Sequence, residues 1–457
     1  MRVILGANAY IKRTRNRQEP IWWDSRTAIN AHVLIMGGSG AGKTYTIRHW
    51  IESLARHNRE LRIHVFDVHG DIDGLPACSS VKFSEQTPYG FNPLALSACR
   101  DSGGIRRRIQ TFTAALNRTS RRLGTRQEAV LRAVLTDLYH ANGFYADKPE
   151  SWRLDDGIVR RFPKKYPTLL DASRFTQAKL KALHLGADSK AVAALEQVNR
   201  KAAALNARLK AMGQIDRCLE RGGADAPANS DLERLKAQAI EAYTAFVNAI
   251  GSGRELDDGL RYDSRDVLRS VGERLDNLNA LGLFRPNPPP FDCDAAVWRY
   301  DIKAMREDEQ KLFVTFRLED LFQQAVQRGV QSDVRDLVVL DEAKRFFTED
   351  TDNPLNTWVT EGRKFGLSLI CASQSPTHFS EDFLSNVATK LILGIDEMYW
   401  DGSVRKLKID LRTLQYIVPR RTLAAQIKTS GEVRARFVGV DLSGDTLSAN
   451  VAVGGDP

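Results

Sequence analysis

Apolar positions along the chain follow two periods. HVLIM (32–36) and RIHVFD (62–67) are apolar runs of strand length, and between them Ile47, Trp50, Ile51 and Leu54 recur at steps of three and four, the spacing of one helix face. Residues 32–67 therefore read as strand, loop, helix, strand. That βαβ unit calls for a parallel sheet covered by helices. LFVTFRL (312–318), DLVVLD (336–341), LSLICAS (367–373) and TKLILGI (389–395) are runs of the same length separated by helical stretches, and they read as further strands. TLAAQIK (422–428) and VRARFVGV (433–440) flank TSGE and predict a hairpin. Helical spacing marks 105–140, through Val130, Leu131, Val134, Leu135 and Leu138, and returns at Val267, Val271, Leu275 and Leu278 before PNPPP (286–290) breaks the chain.

One stretch differs in character. Val192, Leu195, Val198, Ala202, Leu205, Leu209 and Met212 are spaced by three and four in an alanine-dense background, a coiled-coil-like seam. RGGADAPANS (221–230) reads as a turn. Ser230 with Glu233 predicts a capping box opening a second helix to about Val247, ended by GSG (251–253). The expected organisation is a short N-terminal extension (1–30), a core in two parts (31–185 and 254–445), a helical hairpin inserted at 186–253, and a flexible tail (446–457). The seam of the hairpin is expected to contact a partner or another subunit.

With 457 residues the chain has room for two or three domains. Its 42% hydrophobic and 27% charged residues are ordinary for a globular protein and exclude a disordered or collagen-like chain. No apolar run approaches the roughly 20 residues that span a bilayer, and the apolar-then-basic start reverses the order of a secretory signal. A cytoplasmic location is the expectation. The five cysteines (Cys78, Cys99, Cys218, Cys293, Cys371) are dispersed without a CxxC pair, and the eight histidines include no HxxxH. This pattern argues against a zinc centre or a disulfide scaffold. A net charge of +9 permits a polyanionic partner without demanding one.

Candidate chemistry sits at strand ends. Gly37-Gly38-Ser39-Gly40-Ala41-Gly42-Lys43-Thr44 fits GxxxxGK[ST], between a strand and an amphipathic helix. Glycines let successive N–H groups point at a phosphate. Lys43 would reach the β/γ oxygens and the Thr44 hydroxyl a Mg²⁺ ion. Leu337-Val338-Val339-Leu340-Asp341-Glu342 is a buried strand ending in two acids. Asp341 would hold Mg²⁺ through water and Glu342 would act as general base on an attacking water. With no [NT]KxD guanine-reading motif, ATP is the expected nucleotide. Gln374 follows the strand LSLICAS and can contact a γ-phosphate where that strand lies between the two motifs. Arg363, in GRKFG, precedes the same strand and would stabilise transition-state charge in a neighbouring subunit's site. Asp67 and Asp71 flank His69 at the end of the second strand, where a carboxylate can assist water or Mg²⁺. Arg106, Arg107, Arg108, Arg118, Arg121, Arg122 and Arg126, together with RRFPKKYP (160–167), could line a channel along a phosphate backbone, or be solvated helix faces.

IMGGSGAGKTYT, VFDVHGD, FNPLAL, LGTRQEAVL, YPTLLD, LVVLDEAKRF and EGRKFGLSLICASQSP occur in this order. Together they resemble the HerA branch of the HerA/FtsK ATPases over roughly 30–185 and 258–440. The resemblance implies an α/β P-loop NTPase of RecA-like, ASCE type, with a mostly parallel sheet flanked by helices. It implies ATP and Mg²⁺ as cofactors, a homo-hexameric ring, and ATP-driven translocation on double-stranded DNA. Partners in such systems are a NurA-like nuclease in end processing, or sirtuin-like or nuclease effectors in antiphage defence. An alternative on the same core is a type IV secretion or conjugation ATPase, or a nucleotide-gated scaffold. Position by position, the resemblance gives Gly37 to Tyr45 as the nucleotide-binding stretch. It gives Lys43, Glu342, Gln374 and Arg363 as catalytic, Thr44 and Asp341 as metal-binding, and Asp67 as the acid after the second strand. HerA proteins carry a small N-terminal β-barrel, for which the 30 residues ahead of the first core strand are too few, so nuclease docking through such a barrel is not expected here.

Overall fold

The computed structural model describes residues 1–58, 60–100, 103–119, 122–155, 163–185, 189–219, 228–249, 261–262, 264–348, 353–432 and 434–442. The strands are β1 (Arg2–Asn8), β2 (Pro20–Asp24), β3 (Val33–Met36), β4 (Arg62–Asp67), β5 (Cys78–Lys82), β6 (Val297–Asp301), β7 (Asp336–Leu340), β8 (Leu367–Ser373), β9 (Thr389–Ile392), β10 (Thr422–Ile427) and β11 (Val438–Asp441). The helices are α1 (Ala9–Arg15), α2 (Lys43–His57), α3 (Ile105–Thr119), α4 (Thr125–Ala141), α5 (Leu169–Leu185), α6 (Ser189–Leu219), α7 (Ala228–Ala249), α8 (Arg265–Ala280), α9 (Glu307–Arg328), α10 (Pro354–Glu361), α11 (Glu381–Asn386), α12 (Trp400–Leu407) and α13 (Leu411–Tyr416).

All eleven strands form one sheet, in the order β2-β1-β11-β10-β9-β3-β8-β7-β4-β6-β5. From β9 to β5 every neighbouring pair is parallel. From β9 out to β2 every pair is antiparallel. The architecture expected from the sequence, a mostly parallel sheet flanked by helices, is the one found. Its strands are apolar on both sides because both faces are covered. Val33 and Ile35 join one core cluster while Leu34 and Met36 join the other, and Leu337 and Val339 separate from Val338 and Leu340 in the same way. Helix α2 packs Ile47, Trp50, Ile51 and Leu54 into one cluster, while α3, α4, α8 and α9 supply the other.

Three elements differ from the sequence reading. LFVTFRL (312–318) is not a strand but the middle of α9. Leu312, Phe313, Val314, Phe316 and Leu318 are all buried there, so the polar stripe that reveals a helix is missing. The helix is announced instead by Glu307, Asp308 and Glu309 in its first turn, which complement the helix dipole. Residues 1–30, expected as a short N-terminal extension, carry β1 and β2, an antiparallel pair joined to β11, and Trp23 is buried with its indole N–H on Thr389 Oγ1 at 2.9 Å. In the C-terminal hairpin only Val438–Asp441 is strand among the described residues of the second arm.

Helices α6 and α7 pack on each other. Leu195, Val198, Ala202 and Leu205 are half-buried along the contact, and Leu209 is exposed. Helix α7 begins at Ala228, so Ser230 lies in its first turn rather than at the cap. The side chains of Val192 and Met212 and the tail from residue 443 lie outside the described residues. No helix among the described residues is long and apolar enough to cross a membrane.

Candidate nucleotide site

The parallel strands bring the local motifs to one edge. Strand β8 lies between β3 and β7, so the C-terminal ends of these three neighbours present the glycine loop, Gln374 and the Asp341–Glu342 pair together. That edge is where ligands bind in open parallel sheets.

The loop is built for close approach. A Cβ on Gly37 would stand 3.0 Å from Ala41 Cβ and 3.1 Å from Leu393 Cβ, so a side chain there would crowd both neighbours. Gly42 caps α2 at φ 100 without a side-chain cap bond, a conformation that favours glycine. The first-turn amides of α2 are thus left for an anion, with the positive end of the helix dipole behind them. Lys43 Nζ donates to the carbonyls of Gly37 at 2.9 Å and Gly38 at 3.1 Å, so the cation is folded back over the loop. Gly37 N–H bonds the carbonyl of Ser373 at 3.0 Å and Gly38 N–H that of Gly394 at 2.7 Å, tying the loop to the ends of β8 and β9. Ser373 Oγ pairs with His378 Nδ1 at 2.9 Å.

Asp341 is only 4% exposed. Its carboxyl is raised above the ordinary carboxylate range, first by burial and then by the negative charges of Asp71 and Glu342, with Lys43 opposing. Thr44 Oγ1 lies 3.4 Å from Asp71 Oδ2. A hydroxyl and crowded carboxylates are hard oxygen donors, and a buried carboxyl repelled by two acids suits a divalent cation such as Mg²⁺. Glu342 has φ 55, a left-handed conformation rare for a residue with a side chain and concentrated at functional sites. It shares a cavity of about 520 Å³ with Gln374, Lys344, Arg345, Arg118 and Lys311.

Asp67 differs from its expected role. It is 0% exposed, and Arg299 grips it through Nε at 2.9 Å and Nη2 at 2.6 Å. Gly70 N–H donates to Asp67 Oδ1 at 2.7 Å, and Ile72 N–H to the Oδ2 that Arg299 holds, at 3.1 Å. With both oxygens committed, Asp67 holds β4, β6 and the turn between 67 and 72. Asp71, at the far end of that turn, faces Thr44 instead. Arg363 is exposed in a 3₁₀ turn at the start of β8. Seven residues of strand put it roughly 20 Å from Gln374, out of reach of its own chain's glycine loop.

The basic clusters divide. Arg108 is buried on Asp320 at 2.6 Å and on the Pro93 carbonyl at 2.6 Å, and Arg118 pairs with Glu319 at 3.3 Å. Lys164 bonds the Ser151 carbonyl at 2.5 Å and covers the Phe144 ring at 4.2 Å. These cations hold the fold together. Arg106 and Arg107 are exposed, while Arg121 and 160–162 lie outside the described residues. Sequence reasoning missed Arg420, whose Nε bonds the Gly40 carbonyl at 3.0 Å, and the Lys344–Arg345 pair beside Glu342. The latter follows the two acids after Ala343 alone and was there to be read.

Residues 13–99 match the family described as "Helicase HerA, central domain". That segment is HerA-like. The HerA double-strand break repair helicase of Sulfolobus acidocaldarius is 40% identical over 65 residues, 13% of this chain and 13% of that protein. An uncharacterized protein of Aquifex aeolicus is 32% identical over 56 residues, 12% of this chain and 21% of that protein. The matched segments thus span about a fifth or less of those relatives. VirB4 of Thermoanaerobacter pseudethanolicus shares the fold, with a TM-score of 0.59 and 13% identity, over 98% of each chain. The HerA-like segment contains the glycine loop, β3, α2 and β4, and the surrounding fold is shared with VirB4.

Proposed function

We propose that the chain is an ATP-hydrolysing motor acting on double-stranded DNA, working as a ring of identical subunits. The observation that carries this reading is the convergence of Lys43, Thr44, Asp341, Glu342 and Gln374 at one sheet edge within a HerA-like chain. The loop amides and Lys43 bind the triphosphate. Thr44 and Asp341, with Asp71 nearby, would hold Mg²⁺, which when bound neutralises phosphate charge. Glu342 accepts a proton from the attacking water, and Gln374 orients the γ-phosphate. Arg363 is exposed at the opposite end of β8 from Gln374; in a ring it would lie against the phosphates of the neighbour and couple turnover to subunit movement.

A second face supports a polyanionic substrate. A cleft of about 1070 Å³ is lined by Lys390, Arg405, Lys408, Lys428, Arg434 and Arg436, with Glu381, Asp410 and Glu432 as its acids. Lys390 is 3% exposed with its Nζ on the Val387 carbonyl, and burial and Lys428 push it down to about 7, so Arg405, Lys408, Arg434 and Arg436 are the exposed cations of the cleft. Such a basic excess contacts phosphates without reading bases, so binding should weaken steeply with salt. Repair with a nuclease, or defence with another effector, is the setting in which this motor would work in the cytoplasm.

Double-stranded DNA is expected to raise steady-state ATP hydrolysis several-fold at low salt, and the double substitution Arg434→Glu, Arg436→Glu to remove the stimulation. Hydrolysis indifferent to every DNA form would refute the DNA-motor reading while leaving an ATPase.

A further inference from the structure

A polar stripe of α9 lines a cavity outside the nucleotide site. Arg317, Asp320, Gln324 and Gln327 recur at steps of three and four, which puts them along one side of the helix, and Gln323 lies beside them. All five line a cavity of about 350 Å³ between α9, the start of α3 and residues 91–98 and 103–104. This cavity shares no lining residue with the one beside Glu342, and its volume suits a small molecule.

Arg317 carries a charge that the fold does not match. It is 6% exposed, and its Nε donates to Tyr300 Oη at 3.3 Å. That leaves the Tyr300 proton for His64 Nδ1 at 3.0 Å, and His64 Nε2 lies 3.3 Å from Asp336 Oδ1. Asp336 at the end of this chain is held by Arg328 at 2.5 Å. Asp320, the carboxylate of the cavity, is held by Arg108 Nη1 at 2.6 Å. Arg317 therefore has no ion pair among the described residues, and its Nη1 and Nη2 have no hydrogen-bond partner there. The Phe91 ring lies 4.5 Å from the guanidinium, but stacking offsets only part of the penalty of burying a charge without a counter-ion. A second group is also unmet: Gln323 Oε1 is buried and accepts from nothing among the described residues, a rare state for a buried polar atom. Arg107 and Arg108 line the same cavity. Three guanidinium groups thus stand against one carboxylate, an excess of two positive charges.

We infer that this cavity binds a small phosphorylated molecule that carries hydroxyl groups, its phosphate on Arg317 and its hydroxyls on Gln323 and the neighbouring amides. A phosphomonoester is close to dianionic at neutral pH, which matches the excess, whereas a single carboxylate would not. A guanidinium fork takes phosphate oxygens through paired N–H groups. A hydroxyl supplies the donor that Gln323 Oε1 lacks, and side-chain amides such as Gln324 both donate to hydroxyls and accept from them. The inference does not rest on the nucleotide-binding reading, since none of these residues belongs to that site.

Titration calorimetry on the nucleotide-free full chain tests it, with ribose 5-phosphate, inorganic phosphate and ribose as probes. Wild type should bind ribose 5-phosphate about tenfold more tightly than inorganic phosphate, and ribose alone should not bind. Arg317→Lys keeps the charge without the fork and should weaken ribose 5-phosphate about tenfold. Because Arg317 is buried, Gln324→Glu serves as a second variant. Its position is exposed, so the fold is retained, and the added negative charge should weaken the sugar phosphate about tenfold as well. Gln323→Leu should bring ribose 5-phosphate down to the level of inorganic phosphate. Ribose 5-phosphate left unbound by wild type, or bound equally by wild type, Arg317→Lys and Gln324→Glu, would overturn the inference. So would binding that falls in Lys43→Ala and is unchanged in Gln324→Glu, which would place the sugar phosphate on the glycine loop. A duplex bound more tightly with 5′-phosphate than with 5′-hydroxyl ends, by a chain that ignores ribose 5-phosphate, would assign the cavity to DNA ends and overturn the small-molecule assignment.

Discussion

Replacing Glu342 by glutamine should lower ATP turnover by about two to four orders of magnitude while ATP affinity changes by only a few-fold. The two side chains have the same shape, so the cavity shared with Gln374 is kept. An amide cannot accept the proton that a carboxylate takes from water. The residue keeps its left-handed backbone, because the change lies beyond Cβ and the flanking 3₁₀ turn is untouched. One negative charge beside Asp341 is removed, so nothing in the change opposes binding of a polyphosphate. Phosphate release and nucleotide titration on the same preparation read the two effects separately. Turnover within tenfold of wild type would show that the base lies elsewhere.

Asp341 and Asp67 should respond in opposite senses to the same substitution. Asp341→Asn should abolish turnover and yet raise the melting temperature of the nucleotide-free protein by a degree or two at neutral pH. The folded carboxyl is raised above its unfolded value by burial and by Asp71 and Glu342. The fold therefore favours the protonated form, and its contribution to stability is present at low pH and lost as pH rises through the folded value. Asparagine removes that loss, so the advantage of the variant should grow with pH across this range. Mg·ATP should reverse the order, because the carboxylate has a partner when the site is filled. Asp67→Asn should instead cost about 3–5 kcal/mol, the expected range when one member of a buried ion pair is removed, since Arg299 would be left buried with its charge unmatched. Thermal unfolding of both variants from pH 5 to 8 checks the pair. A stabilised Asp67→Asn would restore Asp67 to the list of site acids.

What could be read in sequence was what is local. The glycine loop and the Asp341–Glu342 step carry their own context, a strand before and a helix or turn after, so chemistry and placement arrive together. The position of Gln374 was legible because LSLICAS is a mostly apolar run of strand length that ends just before it. Asp67 and Asp71 sit four residues apart in one turn, and only the folded backbone decides that the first faces Arg299 and the second Thr44. Helix α9 hid its period by being buried around its middle. Strands β1 and β2 were obscure because an edge hairpin interrupted by a helix gives no clean alternation, and β5 because a five-residue strand with one fully buried position gives almost none. Arg420 meets the loop across 380 residues of chain, a separation that no motif bridges.

The central claim is that the loop at 37–44 and the acids at 341–342 together bind and split a nucleoside triphosphate. Phosphate release from Mg·ATP by the full chain, compared with Lys43→Ala, tests it most directly. The account predicts steady turnover in the wild type and a loss of at least a hundredfold in Lys43→Ala. Equal rates in the two proteins, or no release by a correctly folded wild type with DNA present, would contradict it.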